Sequence, residues 1–355
     1  MYMVMVNPFK FGTVVENSFF TDRQNELQYI KSVLNSENHL ILISPRRFGK
    51  TSLVVKALCE SNRKHIMLNL QSVVSTEDFA ARLLKEIFKI YKFEKVKHFI
   101  KNFRIVPTIS LNPMTDGVDV SIMPMVDNRV LIEDVFALLQ AIASEEDRLI
   151  VVLDEFQEIK SIDKNLDRLL RSIMQLHKNI NYLFLGSQES MMREIFEKKK
   201  SPFFHFGQLL HLDKIPYDDF KLYLLERLSF VDNADEICNE ILAFTKCHPY
   251  YTQQLASQVW EIGRKGEMDN IVNEAIARLL EFHDLNFERI WLNFNNTDKR
   301  ILMWLANNNK PYALMGIAQS TISSSLKRML KDGYVIKTAE YEVEDPFFRN
   351  WILSH

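Results

Sequence analysis

The chain has 355 residues, and 44 basic against 46 acidic side chains leave a formal charge of −2, so no global field draws it onto nucleic acid or acidic lipid. With 47% hydrophobic residues, 25% charged residues and only 9 glycines it has the composition of a globular protein, which argues against collagen-like and glycine-rich disordered chains. Three cysteines (Cys59, Cys238 and Cys247) without a Cys-x-x-Cys spacing argue against a disulfide scaffold or zinc finger and for a reducing, cytoplasmic setting.

The apolar run at Met1–Val6 is too short for a signal peptide, and no stretch approaches the roughly 20 apolar residues of a membrane helix, so no membrane partner is expected. The first half alternates apolar strand-like runs with helical periodicity, the pattern of an α/β parallel sheet. The runs are His39–Ser44, His65–Leu70, Leu149–Asp154, Asn181–Gly186 and Leu209–Leu212, with helices expected at Thr51–Glu60 and Ser75–Tyr91. Near-continuous hydrophobicity predicts strands covered on both faces. The segment Ile105–Met123 breaks the rhythm and reads as a hairpin around Thr115-Asp116-Gly117, either covering a sheet edge or forming a partner-binding arm. After Lys214 the strand runs stop. Pro216 opens a helix whose first turn carries Asp218 and Asp219, and helical patterning continues to about Asn293. Then come helices at Asp298–Ala306 and Ser320–Lys331, the latter ended by Gly333, and short strands at Tyr334–Lys337 and Glu340–Val343. Helices followed by a small hairpin predict a winged helix-turn-helix. The chain therefore divides into an α/β core over 1–214 with a hairpin insert near 105–123, a helical domain over 215–293 and a winged-helix domain over 294–355.

The stretch Ser44-Pro45-Arg46-Arg47-Phe48-Gly49-Lys50-Thr51 matches the P-loop pattern except that Ser44 stands for its first glycine. Such a loop leaves a buried strand, wraps an anion in backbone N–H groups and enters a helix whose N-terminus attracts negative charge. Gly49 allows close backbone approach, Lys50 reaches β- and γ-phosphates, and Thr51 offers its hydroxyl to Mg²⁺. Leu149-Ile-Val-Val-Leu-Asp154-Glu155 is the matching Walker B strand. Asp154 is expected to hold the metal and Glu155 to polarise an attacking water. A third strand ends in Ser187-Gln188, placing Ser187 as a candidate γ-phosphate sensor. His205 and His211 lack the spacing of a metal pair, and Cys247 beside His248 reads as packing.

Together these residues resemble the archaeal-type ATPase family, a branch of the STAND class of P-loop ATPases related to AAA+ proteins. Asn7-Pro8-Phe9 and Phe20-Thr21-Asp22-Arg23-Gln24-Asn25-Glu26-Leu27 are similar to its N-terminal box. Pro45 to Leu53, including Arg46, Arg47 and Ser52, resembles its P-loop, and Leu153 to Gln157 its Walker B ending. Ser187 to Met192 resembles its sensor region, Cys247-His248-Pro249-Tyr250-Tyr251 its lid motif without the usual glycine, and Asp345 to Ile352 its C-terminal wing signature. The resemblance implies a core with strand order 5-1-4-3-2, a helical lid over 215–293, and ATP or ADP with Mg²⁺ as ligands. It also implies contacts to the adenine side from Phe20, Arg23, His248 and Pro249. One position departs. Ser201-Pro202-Phe203-Phe204-His205-Phe206-Gly207-Gln208 ends in glutamine where the family often has arginine, which leaves Arg46, Arg47 and Arg193 to stabilise transition-state charge.

The expected function is a slow ATPase acting as a nucleotide-dependent switch, with a protein partner or self-association. The alternative is a nucleotide-binding, DNA-associated regulator in which hydrolysis is incidental. A small-molecule kinase ranks third, since it has no use for a winged helix. From Asp298 onward eight basic and six acidic residues give a weakly basic segment. Glu340, Glu342 and Glu344 alternate along the second wing strand, a face expected to repel a duplex, while Thr321, Ser323, Ser324, Ser325, Lys327, Arg328 and Lys331 on the helix before it could meet DNA.

Overall fold

The computed structural model describes residues 6–15, 19–21, 23–91, 93–101, 103–104, 108–112, 117–121, 128–266 and 270–355. Its strands are β1 (Leu40–Ile43), β2 (His65–Asn69), β3 (Thr108–Asn112), β4 (Gly117–Ser121), β5 (Leu149–Asp154), β6 (Ile180–Gly186), β7 (Gln208–His211), β8 (Val335–Lys337) and β9 (Tyr341–Val343). Contacts divide the chain into two compact units, one of residues 24–44 and 53–212, the other of residues 1–23, 45–52 and 213–355.

The first unit holds a five-stranded sheet in the order β2-β5-β6-β1-β7, every pair parallel. Counted in chain order this is 2-3-4-1-5, the expected 5-1-4-3-2 read from the other edge. Parallel neighbours need helical crossovers, which explains the alternation of strand and helix in the sequence. One face of the sheet, with Ile41, Ile66, Val151 and Phe184, packs with Phe79, Leu83, Phe136 and Leu170 from the helices Thr76–Ile90, Asn128–Ile142 and Leu166–Met174. The alternate residues Leu42, Ile150, Val152 and Leu183 are equally buried, so the central strands are covered on both faces as their composition requires. The edge strand β7 differs from that expectation. Its residues alternate between exposed and half-buried, because an edge strand has a neighbour on one side only. Parallel alignment brings the C-terminal ends of β1, β5 and β6 to one edge of the sheet, where Ser44 N donates to Gly186 O.

Strands β3 and β4 pair antiparallel as the expected hairpin, and β4 runs along the helix Thr76–Ile90. The turn residues Thr115 and Asp116 and the flanks 105–107 and 122–123 lie outside the described residues. The helix Thr76–Ile90 starts where it does because Ser75 Oγ accepts from Asp78 N at 3.2 Å while Asp78 Oδ2 accepts from Val74 N at 3.1 Å.

In the second unit, helices at Tyr217–Leu228, Ala234–Thr245, Pro249–Gly263, Ile271–Leu292, Asn296–Ala306, Gln319–Asp332 and Pro346–Ser354 accompany the antiparallel pair β8–β9. They share a core that includes Phe9, Leu224, Ile241, Leu255, Trp260, Leu302, Leu326, Phe347 and Trp351. Asn295 Oδ1 accepts from Asp298 N at 2.9 Å, so that helix begins two residues before the expected Asp298. Gly333, with φ of 81°, ends the helix Gln319–Asp332 as expected.

The acidic stripe of the hairpin does not form the solvated repulsive face expected from its alternation. Glu342 is bound by Lys214 at 2.6 Å and Lys246 at 3.3 Å, and Glu344 is largely buried; only Glu340 of the three lies exposed, 3.3 Å from Lys310. On the preceding helix Arg328 donates from Nη2 to both oxygens of the buried Asp298 at 2.6 Å, so this half-exposed cation is already paired with a carboxylate of the protein.

The last helix is capped by Asp345, whose Oδ1 accepts from Phe347 N at 2.8 Å and Phe348 N at 3.2 Å. Burial, together with the neighbouring Glu344 charge, pushes its carboxyl from the ordinary 3.8 up to about 6, although the two backbone N–H groups oppose the shift. A raised carboxyl favours folding fully below 3.8 and loses that contribution as pH rises through 6. Asn caps a helix equally well without a charge. Asp345→Asn should therefore stabilise the protein above pH 7 by up to ~3 kcal/mol, the value of about two pKa units. Urea unfolding from pH 4 to pH 8 should show the gain shrinking toward the acid end.

Candidate functional site

Chain 45–50 leaves β1 and passes directly into the helix Lys50–Ser61. Two left-handed residues bend it, Arg47 with φ of 66° and Gly49 with φ of 85°. At Gly49 only glycine adopts this conformation without strain. Ser44 does not take a positive φ, so the Cβ that replaces the usual glycine costs nothing there.

The loop is held by its own unit. Phe48 is fully buried, with the imidazole of His248 standing edge-on at 4.8 Å. Arg23, itself buried, donates from Nη2 to Phe48 O at 3.1 Å and to Asp213 O at 2.7 Å. Ser52 Oγ accepts from Val15 N at 2.9 Å, which ties the N-terminal segment to the first turn of the helix. Arg47 Nη1 donates to Tyr251 Oη at 2.7 Å, with the guanidinium 4.9 Å from the Tyr250 ring centre.

These elements enclose a cavity of about 530 Å³, within the usual range of small-molecule sites. The loop and helix supply Arg47, Phe48, Gly49, Lys50, Thr51 and Ser52 to its wall; the N-terminal segment adds Phe11, Val15, Phe20 and Arg23, the segment after β7 adds Ile215, and the helix Pro249–Gly263 adds Pro249, Tyr250 and Gln253. Gln253 is oriented by Thr21 Oγ1 at 2.9 Å and Tyr223 Oη at 3.3 Å. The wall combines aromatic surface, the four cationic side chains of Lys10, Arg23, Arg47 and Lys50, and a helix N-terminus. That donor set suits a ligand with a flat ring and a polyanionic tail.

Of the residues singled out in the sequence, Phe20, Arg23, Arg47, Phe48, Gly49, Lys50, Thr51, Ser52 and Pro249 line this cavity together. Pro45, Arg46 and His248 are not among the lining residues; Arg46 is exposed, and His248 is buried behind Phe48. His248 caps the helix Pro249–Gly263, its Nδ1 accepting from Tyr250 N at 3.2 Å. The neutral ring therefore carries its proton on Nε2, 3.4 Å from Glu344 Oε1. Burial holds the imidazole below its ordinary range, although Glu344 opposes this. Arg193 is ion-paired along its own helix with Glu189 at 2.7 Å and Glu197 at 3.9 Å.

At the end of β5, Asp154 is buried and its Oδ1 accepts from Glu155 N at 2.9 Å. Glu155 sits in the left-handed region with φ of 53°. Its Oε2 accepts from Ser187 Oγ at 2.5 Å and from Gln157 Nε2 at 2.5 Å. Ser187, read as a phosphate sensor, thus holds the glutamate. The sequence assigns no role at this site to Gln157, Gln253, Glu344 or the segment Lys10–Val15. A signal existed for Gln157, two residues beyond the glutamate at the same strand tip. None existed for Glu344, some 300 residues from the P-loop. Among the described residues no group of three or more His, Cys, Asp or Glu could hold a metal by itself.

A parallel sheet of this order, with a strand–loop–helix motif after β1 and an acidic pair after β5, defines an ATPase-type P-loop domain. The family described as ATPase domains predominantly from Archaea matches residues 20–221, and the chain belongs to it. A Walker-type ATPase of Pyrococcus abyssi is similar in structure at 17% identity and a TM-score of 0.68, over 98% of this chain and 99% of that one. The ORC2 protein of Aeropyrum pernix, in ADPNP and ADP complexes, is similar at 13% identity and a TM-score of 0.54, over 98% of each chain. The ORC1 protein of the same organism, in complex with DNA, is similar at 13% identity and a TM-score of 0.51, over 94% of this chain and 92% of that one. At these identities the likeness is one of fold. No curated protein matches the sequence.

The clamp on the loop can be tested directly. Arg23→Met keeps the length of the side chain and removes both donors. It should cost about 1.5–3 kcal/mol, the usual worth of buried hydrogen bonds from a charged group, read as a lower urea midpoint.

Proposed function

We propose that the protein binds ATP and ADP with Mg²⁺ in this cavity and hydrolyses ATP slowly, as a nucleotide-dependent switch. The observation that carries the reading is the cavity itself, which joins the P-loop lysine and a helix N-terminus to an aromatic wall. Lys50 and the loop N–H groups bind the phosphates. Phe20, Arg23 and Pro249, with Phe11 and Tyr250, form the base side, and His248 backs the loop through Phe48. Thr51 and Asp154 hold the metal, in keeping with the preference of Mg²⁺ for few protein oxygens beside phosphate and water. When bound, the ion neutralises charge developing on the phosphates. Glu155 orients the attacking water once it leaves Ser187 and Gln157. Its engagement there, and the glutamine at position 208, both favour slow turnover.

Lys50→Ala should weaken ATP binding at least tenfold by calorimetry, because a charge-assisted phosphate contact is lost from a sheltered site. Unchanged affinity removes the site assignment. Glu155→Gln should retain ATP and stop phosphate release; a wild-type chain that releases no phosphate with Mg²⁺ in any oligomeric state leaves binding alone.

We read 1–214, 215–293 and 294–355 as core, lid and winged helix of a cytoplasmic STAND-type switch. The three free cysteines fit that setting, and among the described residues no helix is long and apolar enough to cross a membrane. A protein partner or self-association is the favoured role for the winged helix. DNA binding is the second reading, supported by the ORC1 protein seen with DNA and by Lys327 and Lys331. With Arg328 tied to Asp298, little cationic surface remains to neutralise phosphates. Random duplex DNA should accordingly bind only at low salt. Tight binding at physiological salt, abolished by Lys327→Glu with Lys331→Glu, would establish the second reading instead.

A further inference from the structure

Arg47 is a non-glycine residue in a left-handed conformation, φ 66°, in the middle of the P-loop. Such a residue persists only where its surroundings over-determine it. Here they do so through a chain of contacts that runs to the C-terminal hairpin. The guanidinium donates to Tyr251 Oη at 2.7 Å and lies 3.9 Å from Glu344 Oε2. Tyr251 Oη in turn donates to Glu344 Oε2 at 2.6 Å. His248 Nε2 stands 3.4 Å from the other oxygen of the same carboxylate. Glu344 directly follows β9, its own N–H donates to Tyr334 O, and its side chain is only 10% exposed. A carboxylate withdrawn from water this far depends on such partners.

Arg47 also lines the nucleotide cavity. One cation therefore serves two anionic demands, the carboxylate of the C-terminal hairpin and any phosphate entering the cavity. We propose that Glu344 is an autoinhibitory carboxylate that competes with nucleotide phosphate for Arg47, so that filling the cavity loosens the hairpin and the docked hairpin weakens nucleotide binding. This rests on the nucleotide-site reading above. The two effects are one coupling seen from either end, since linkage is reciprocal. Tyr251 relays it, because the hydroxyl that accepts from Arg47 is the one that donates to Glu344. A phosphate that draws Arg47 away leaves the Tyr251–Glu344 pair without its neutralising charge.

Calorimetry with Mg-ATP and Mg-ADP on the full chain tests this, using wild type, Lys50→Ala, Glu344→Gln, Arg47→Met, the double variant Arg47→Met/Glu344→Gln, and Glu342→Gln. Glu342 lies on the same hairpin but pairs with Lys214 and Lys246. The expected result is nucleotide bound about fivefold or more tightly by Glu344→Gln, at the low end of measured couplings, with no such gain in the Arg47→Met background or in Glu342→Gln. In the wild type, hydrogen exchange over residues 335–355 should rise when nucleotide binds. A folded Glu344→Gln chain with unchanged or weaker affinity overturns the proposal and leaves Glu344 as a structural staple. If that variant does not fold, the wild-type exchange decides: a rise supports the competition, and no change or added protection overturns it. A wild type that binds no better than Lys50→Ala removes the nucleotide site, and this inference with it.

Discussion

A loop that offers its backbone N–H groups to an anion cannot also bond them to itself, so its shape has to be imposed from outside. In this protein the outside means residues distant in sequence. Arg23 grips the carbonyl of Phe48, His248 braces its ring, Val15 ties down Ser52, and Tyr250 and Tyr251 hold Arg47. The sheet supplies the strand that leads into the loop. The loop's conformation is the work of the N-terminal segment and the C-terminal helices, with which it forms one compact unit.

Charge compensation follows from the same arrangement. Carboxylates of this unit are met by specific partners: Glu342 by two lysines, Asp298 by one nitrogen of Arg328, Glu344 by tyrosine, histidine and arginine. Asp345 is the exception in kind. Its Oδ1 accepts from two backbone N–H groups, yet burial, with the charge of Glu344 beside it, outweighs them and raises its pKa. Glu155 shows a related economy at the other end of the chemistry, kept in a strained backbone state with both Ser187 and Gln157 on one oxygen.

The sheet was legible because parallel strands leave apolar runs, and β1, β2, β5 and β6 fall where those runs lie. The edge strand β7 was found by the same signal, but its exposure was not, since pattern records side-chain type and not the number of neighbours. The P-loop and Walker B residues were legible because phosphate and Mg²⁺ chemistry demands particular residues at fixed spacing. Roles defined by contact across the fold were not. Arg23 reads equally as a base contact or a surface ion pair until Phe48 O and Asp213 O appear beside it. The alternation of Glu340, Glu342 and Glu344 predicted one solvated face and gave the wrong environment, because the lysines that pair with Glu342 come from positions 214 and 246. His248 was placed at the ligand by its motif, whereas its ring turns to Phe48 and Glu344.

The bond from Arg23 to Asp213 spans 190 residues and that from Arg47 to Tyr251 spans 204. This has a consequence for biosynthesis. On the ribosome, strands β1 to β7 are complete by His211, with every hydrogen-bonded neighbour of the sheet already made. The phosphate loop, though made early, then still lacks the tyrosines that fix its bend and the histidine behind Phe48. It reaches its final form only as the C-terminal helices emerge, so a nascent chain acquires its sheet long before it acquires a finished anion cradle.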